Sequence, residues 1–409
     1  MTENEKKVLA LIDENEIVEF MKTLINVRSD YPKSDTRQIS EICLEKFREY
    51  HMDCELAIPP ETVKNPKDNH PSCWYPSVIA KIPGQEEGPV LLLNAHMDTV
   101  SAGNPSEWET DPFQAYYRNG NIYGRGAGDD KGSVCAQIMA ATIIKRSGIP
   151  LKGTLLINPV SDEEANSCRG AKWLRDSEAF KPDMAIIGEQ TNNKIAIAER
   201  AVVFVKISIT GKGCHGAMPW AGSNATVHMS DFIQVLQREL IPEVEKTVHP
   251  YLPLTTLSAT HIEGGVQVNI IPETCMLEID CRLTPGVNED YILKRFDEIL
   301  QILSDNSEKF QYSIEVTNSE KGVVVDTNPD ELLVREMAEA YQQIKGEKTE
   351  FTGYRQASDG RVFAKWQIPI AIFGPGDPAL GHAPNEFVPV DQLVDATKIL
   401  TLTILKLLS

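Results

Sequence analysis

PVLLLNAHMDTV, residues 89–100, decides how the chain folds. Val90–Leu93 are apolar without alternation, the pattern of a strand covered on both faces in a parallel sheet. Asn94, His96 and Asp98 follow, polar groups placed where such a strand runs out. Three further segments share this layout. GTLLINPVSDEE (153–164) ends in acids, DMAIIGEQ (183–190) ends in Glu189, and IPIAIFGPG (368–376) leads into Gly381 and His382. VIAKI (78–82) reads as another strand.

Between these strands, residues 13–25 and 36–50 carry helical apolar spacing. DKGSVCAQIMAATIIKRSG (130–148) reads as a helix stopped by Gly148. Strands alternating with helices predict an α/β sheet. From about residue 200 the pattern changes. VVFVKISITG (202–211), TTLSATHIEGG (255–265), TCMLEIDCRLTP (274–285) and FQYSIEVT (310–317) alternate like half-buried strands. Helices are expected at 225–240 and 289–305, which gives the order βαββαβ of a ferredoxin-like domain. Helical spacing returns at 330–346 and again at 390–408. The expected organisation is a discontinuous α/β domain, 1–197 with 318–409, interrupted by an α+β domain over 198–317.

The 409 residues exceed what one core usually serves, so two domains are expected. With 42% hydrophobic and 24% charged residues the composition is that of a globular chain rather than a disordered one. A net charge of −19 argues against nucleic acid and against an anionic membrane surface, both of which need a basic face. No stretch is long and apolar enough to span a bilayer. The opening MTENEKKVLALIDENE lacks the apolar core of a secretory signal. The eight cysteines (Cys43, Cys54, Cys73, Cys135, Cys168, Cys214, Cys275 and Cys281) form no CxxC pair. Reduced thiols and a cytoplasmic location are expected, and a cysteine zinc site is not.

In open α/β sheets, sites form beyond the carboxyl ends of the strands. There the sequence places His96 and Asp98, Asp129 and Asp130 just before a helix, Asp162 with Glu163 and Glu164, Glu189, and His382. A lone histidine or acid at a strand end is usually structural, often a helix cap. So many on one edge would repel one another without a cation, because an unpaired buried carboxylate is costly. Histidine mixed with carboxylate suits zinc, with cobalt and manganese as alternatives. Either Asp129 or Asp130 could bridge two ions.

HMDTV, GRGAGDDKG, SDEE, IGEQT, GKGCHGAMPWAGSNA and GHAPNE together resemble the M20 metallopeptidase family, of the acetylornithine deacetylase, succinyl-diaminopimelate desuccinylase and aminoacylase type. The resemblance covers nearly the whole chain. It implies a zinc-peptidase-like catalytic domain with a mixed, mostly parallel sheet, and an inserted lid that dimerises. It implies two metals, one held by His96 and Glu189, the other by Glu164 and His382, with Asp129 rather than Asp130 bridging them. Asp98 would hydrogen-bond the His96 imidazole, and Glu163 would be the general base. The resemblance also implies a cis peptide after Asp129. In the lid, His215 would cross a dimer interface to the partner's oxyanion. Asn269 and Arg282 match positions that contact substrate in relatives, and Arg282 suits a free α-carboxylate.

Two departures stand out. Gln190 replaces the commoner proline of GEPT, while the ligand Glu189 is kept. In TGYRQASDGRVF (352–363), Arg355, Gln356 and Ala357 stand where relatives carry glycines, which argues against the usual succinyl substrate. Arg355 then becomes a candidate substrate contact, while Ser358, Asp359, Gly360 and Arg361 still match. The expected activity is hydrolysis of an N-acyl amino acid by a dinuclear metal enzyme acting as a homodimer. A dipeptidase or carboxypeptidase using the same site is the alternative, and an inactive binding homologue the more distant one.

Overall fold

The computed structural model describes residues 1–165, 167, 169–306 and 310–409. The chain forms two compact units. The larger contains 1–197, 327–354 and 358–409, and the smaller contains 198–326 with 355–357.

A mixed sheet organises the larger unit. Seven of its nine strands run in the order Ala196–Glu199, Ile370–Ile372, Met184–Ile187, Glu86–His96, Lys152–Val160, Ser77–Pro83 and Asp53–Ala57. The central pairings are parallel, and those on either flank are antiparallel. Leu91, Leu92 and Leu93 are fully buried, as their unbroken apolar run requires. In register, Leu92 lies opposite Leu156 and Ala185, and His96 lies opposite Val160. The strand ends at His96, and Thr99–Val100 then pairs in parallel with Asp30–Tyr31.

Helix Lys131–Ser147 is buried on nearly every side and stops at Gly148, whose φ of +64° suits a residue without a side chain. Helix Val390–Leu408 packs against it and against Leu332–Lys345. Helix Glu14–Ile25 begins at Asp13, whose carboxylate accepts the amides of Asn15 and Glu16.

The smaller unit is a four-stranded antiparallel sheet ordered Thr256–Gly264, Thr274–Leu283, Ala201–Thr210, Gln311–Ser319. Helices Ala225–Val235 and Glu289–Asn306 accompany it. Numbered along the chain, the strand order is 2-3-1-4, the ferredoxin-like arrangement. Alternate residues Val203, Val205, Ile207 and Ile209 face a core that includes Phe232 and Phe296.

Among the described residues, no helix is long and apolar enough to cross a membrane. The seven described cysteines are free thiols, and Cys168 lies outside the described residues.

Candidate active site

His96 closes its strand with 3% of its surface exposed. Its Nδ1 lies 2.8 Å from the main-chain oxygen of Asp98 and 4.0 Å from that residue's carboxylate. The expected contact to the imidazole is therefore made by the carbonyl, and the carboxylate does something else. It accepts the amides of Glu163 at 3.2 Å and Glu164 at 3.1 Å. Asp98 thereby ties the His96 loop to the acidic loop. Burial pushes its carboxyl up to about 7, with the charges of Asp162 and Glu164 adding to the effect.

Extended backbone would send Glu163 and Glu164 to opposite sides. Asp162 breaks the extension with a φ of +72°. A buried network holds that turn. Arg169 donates to Asp162 at 2.9 Å and to Asp68 at 2.7 Å, Asn65 donates to Asp162, and the Arg169 guanidinium lies 4.0 Å over the ring of Tyr75.

Two donor groups result. In each, one donor atom per residue lies within 4.8 Å of the others: His96, Asp129 and Glu189 in the first, and Asp129, Glu164 and His382 in the second. Asp129 belongs to both and divides its oxygens between them. Oδ1 is 3.1 Å from His96 Nε2, and Oδ2 is 3.3 Å from His382 Nε2. His382 Nε2 is also 3.2 Å from Glu164 Oε1. An ion with bonds of about 2.1 Å in tetrahedral surroundings sets its ligand atoms about 3.4 Å apart, so these spacings fit metal ligands.

The electrostatics point the same way. Burial, with the charges of Asp130, Asp129 and Glu163, pushes Glu189 well above the usual carboxylate range. Burial, with Asp359 and Glu164, does the same to Glu163. Against burial, hydrogen bonds from His382 and His96 hold Asp129 well below that range. Hydrogen bonds to Asp129 and Glu164 push His382 up to about 10. A cation replacing these protons would relieve the repulsion between the carboxylates.

Asp130 is placed differently from its neighbour. Its Oδ2 accepts the His96 amide at 3.3 Å, and burial pushes its carboxyl up to about 8. The Asp129–Asp130 peptide is cis. Glu163 belongs to neither donor group, and its Oε1 lies 4.0 Å from the Arg361 guanidinium. Gln190 is buried, and its side-chain oxygen has no hydrogen-bond partner among the described residues. A Cβ at Gly381 would lie 2.7 Å from Gln190 Nε2 and 3.0 Å from Asp129 Oδ2, so a side chain there would crowd the shared carboxylate.

In the smaller unit, His215 and Asn269 come together. Cys214–His215 pairs with Ile270–Ile271, and the Gly216 amide donates to the Asn269 carbonyl at 2.7 Å. Both side chains are exposed. Arg282 forms a two-bond pair with Asp280, at 2.8 and 3.0 Å. Arg355 is exposed, and its carbonyl accepts from Arg200.

Sequence reasoning missed two residues of the larger unit. Glu386, fully buried, accepts the amides of Gly126, Gly128 and Asp129 and pairs with Arg125. Its place as the last residue of GHAPNE was the signal in the sequence. Tyr354 donates to Glu189 Oε2 at 2.7 Å, and no sequence pattern marked it.

Comparison with known proteins follows the same lines. The pattern of "Peptidase family M20/M25/M40" matches residues 92–406. A probable succinyl-diaminopimelate desuccinylase of Staphylococcus aureus is 28% identical over 329 residues, covering 74% of this chain and 80% of that protein. The fold is similar to that of aminopeptidase PepT from Bacillus cereus, with a TM-score of 0.76, 20% identity and coverage of 97% and 99% of the two chains. It is also similar to a dinuclear metal-binding M20 peptidase from Bacillus subtilis, with a TM-score of 0.70, 16% identity and coverage of 96% and 98%. The chain belongs to peptidase family M20/M25/M40 and is a metal-dependent amide hydrolase.

Proposed function

We propose that the enzyme is a deacylase of N-acyl amino acids, that its two ions are zinc, and that Asp129 bridges them. The observation that carries this reading is the division of Asp129, one oxygen toward His96 and the other toward His382. His96 and Glu189 complete the first site, and Glu164 and His382 the second. When bound, the ion pair supplies Lewis acidity toward a carbonyl oxygen and acidifies a water.

The chain's own residues carry the proton. Glu163 takes it from the attacking water and delivers it to the leaving amine nitrogen. Its raised affinity for a proton suits both duties. Asp98 keeps Glu163 and the His96 loop in register through the two amides it accepts. Arg282 or Arg355 receives the free carboxylate of the amino acid, a task suited to guanidinium.

The larger unit is the catalytic domain in this proposal and the smaller one a lid that dimerises, with His215 serving the partner's site. The exposure of His215 and Asn269 supports that role. The free cysteines support a cytoplasmic location.

The test is a panel of N-acyl amino acids and dipeptides given to zinc-loaded and chelator-treated protein. Hydrolysis of acylated amino acids that disappears with the metal is expected. Faster turnover of dipeptides would overturn the deacylase assignment in favour of a dipeptidase.

A further inference from the structure

Glu189 follows the buried strand Met184–Ile187 and is 2% exposed. A carboxylate in that position has two oxygens to satisfy. In the first donor group one of them lies with His96 and Asp129. Oε2 accepts a hydrogen bond of 2.7 Å from the Tyr354 hydroxyl. Tyr354 is itself 3% exposed. Its segment is fixed by main-chain bonding, since the Thr352 amide donates to the Ile195 carbonyl at 3.1 Å.

We propose that Tyr354 is a positioning residue for Glu189, fixing the orientation of its carboxylate beside His96 and Asp129. The proposal rests on the reading of His96, Asp129 and Glu189 as a metal site. A buried tyrosine commonly finds some acceptor, and a carbonyl would serve that need. Here the acceptor is a charged side chain already crowded by other carboxylates. A hydrogen bond to an ionised oxygen is short and strong, so it fixes how the carboxylate is turned. Without the hydroxyl, Glu189 loses the bond that orients it toward His96 and Asp129. Groups that orient a ligand in this way typically change metal affinity or activity by about 10–100-fold when removed.

The experiment uses Tyr354→Phe, which keeps the ring and its packing and removes only the hydroxyl. Zinc affinity of the full-length protein is measured by competition with a chromophoric chelator. The visible spectrum of the cobalt-substituted protein reports coordination number. Glu189→Gln serves as the reference variant, and the melting temperature of each chelated protein reports the fold. The expected result is zinc binding about 10–100-fold weaker in Tyr354→Phe, with an altered cobalt spectrum and an unchanged metal-free melting temperature. Unchanged zinc affinity and cobalt spectrum in Tyr354→Phe, with Glu189→Gln clearly weakened, would overturn the proposal and leave the metal site standing. Unchanged zinc binding in Glu189→Gln would overturn the site assignment itself, and this proposal with it. A Tyr354→Phe protein that melts early without metal, yet binds zinc normally when folded, shows a packing role and also overturns it.

Discussion

Glu386 accepts the backbone amide of Asp129 at 2.9 Å, across 257 residues of chain. The same oxygen takes the Gly128 amide, and the other takes Gly126 and the Arg125 guanidinium. One carboxylate thus shapes the main chain around the residue shared by both donor groups. Glu386→Ala would leave Arg125 buried and unpaired, a loss of about 3–5 kcal/mol by analogy with broken buried pairs. Urea unfolding of the chelated protein should show that loss, and metal analysis should show both ions bound more weakly. A variant with wild-type stability and metal content would remove Glu386 from this role.

Asp129 and Asp130 should separate in a metal titration. Asp129→Ala removes a donor from both groups, so both ions should be lost together. Asp130→Asn keeps an acceptor for the His96 amide and should retain both ions, with a smaller drop in affinity at the His96 site. The reverse ranking would make Asp130 the bridge.

Glu163→Gln should keep two metals per chain, because Glu163 is in neither donor group. It should lower kcat by about 10²–10⁴, the range expected for loss of a positioned general base. Metal content and turnover measured on the same preparation make the check. Full activity would remove Glu163 from the mechanism.

Arg169→Met tests the turn that aims the acidic loop. It strands buried Asp162, and Asp68 with a side chain 6% exposed, without their cation. A destabilisation of about 3–5 kcal/mol is expected. Arg169→Lys keeps the charge but gives up paired hydrogen bonds to two carboxylates, so it should fall between the two. Equal stability of all three proteins would show that the network is dispensable.

Chelation should lower the melting temperature as well as abolish activity. The cation offsets repulsion among Asp129, Glu164 and Glu189, and a ligand that binds only the folded state stabilises it by an amount that grows with the logarithm of its concentration over Kd. Calorimetry at increasing zinc should therefore show a rising midpoint. A midpoint indifferent to zinc would argue against ions at this cluster.

The cluster could be read from sequence because its residues sit where buried strands end, and strand ends follow directly from apolar runs such as Leu91–Leu93. The ferredoxin-like order was legible for a similar reason, since alternation in Ala201–Thr210 and Thr274–Leu283 exposes the sheet's two faces. What escaped was whatever depended on distant partners or on one backbone angle. The Asp98 carbonyl, rather than its carboxylate, meets His96, and no side-chain pattern encodes that choice. Glu163 and Glu164 are redirected by the φ of Asp162, which is held by Asn65 and Arg169 from elsewhere in the chain. Tyr354 and Glu386 find their partners across 165 and 257 residues, beyond the reach of any local period.

Strand Ile370–Ile372 lies between Ala196–Glu199 and Met184–Ile187, two strands that are neighbours in sequence. During synthesis those two strands emerge early and must wait for a third. Until residue 372 leaves the ribosome the sheet has a gap between those two strands, and His382 and Glu386 follow later still. A nascent chain therefore exposes the facing edges of those two strands until residue 372 is made. A late-made strand closes the sheet, so termination before residue 370 should yield an aggregating chain rather than a weakened enzyme.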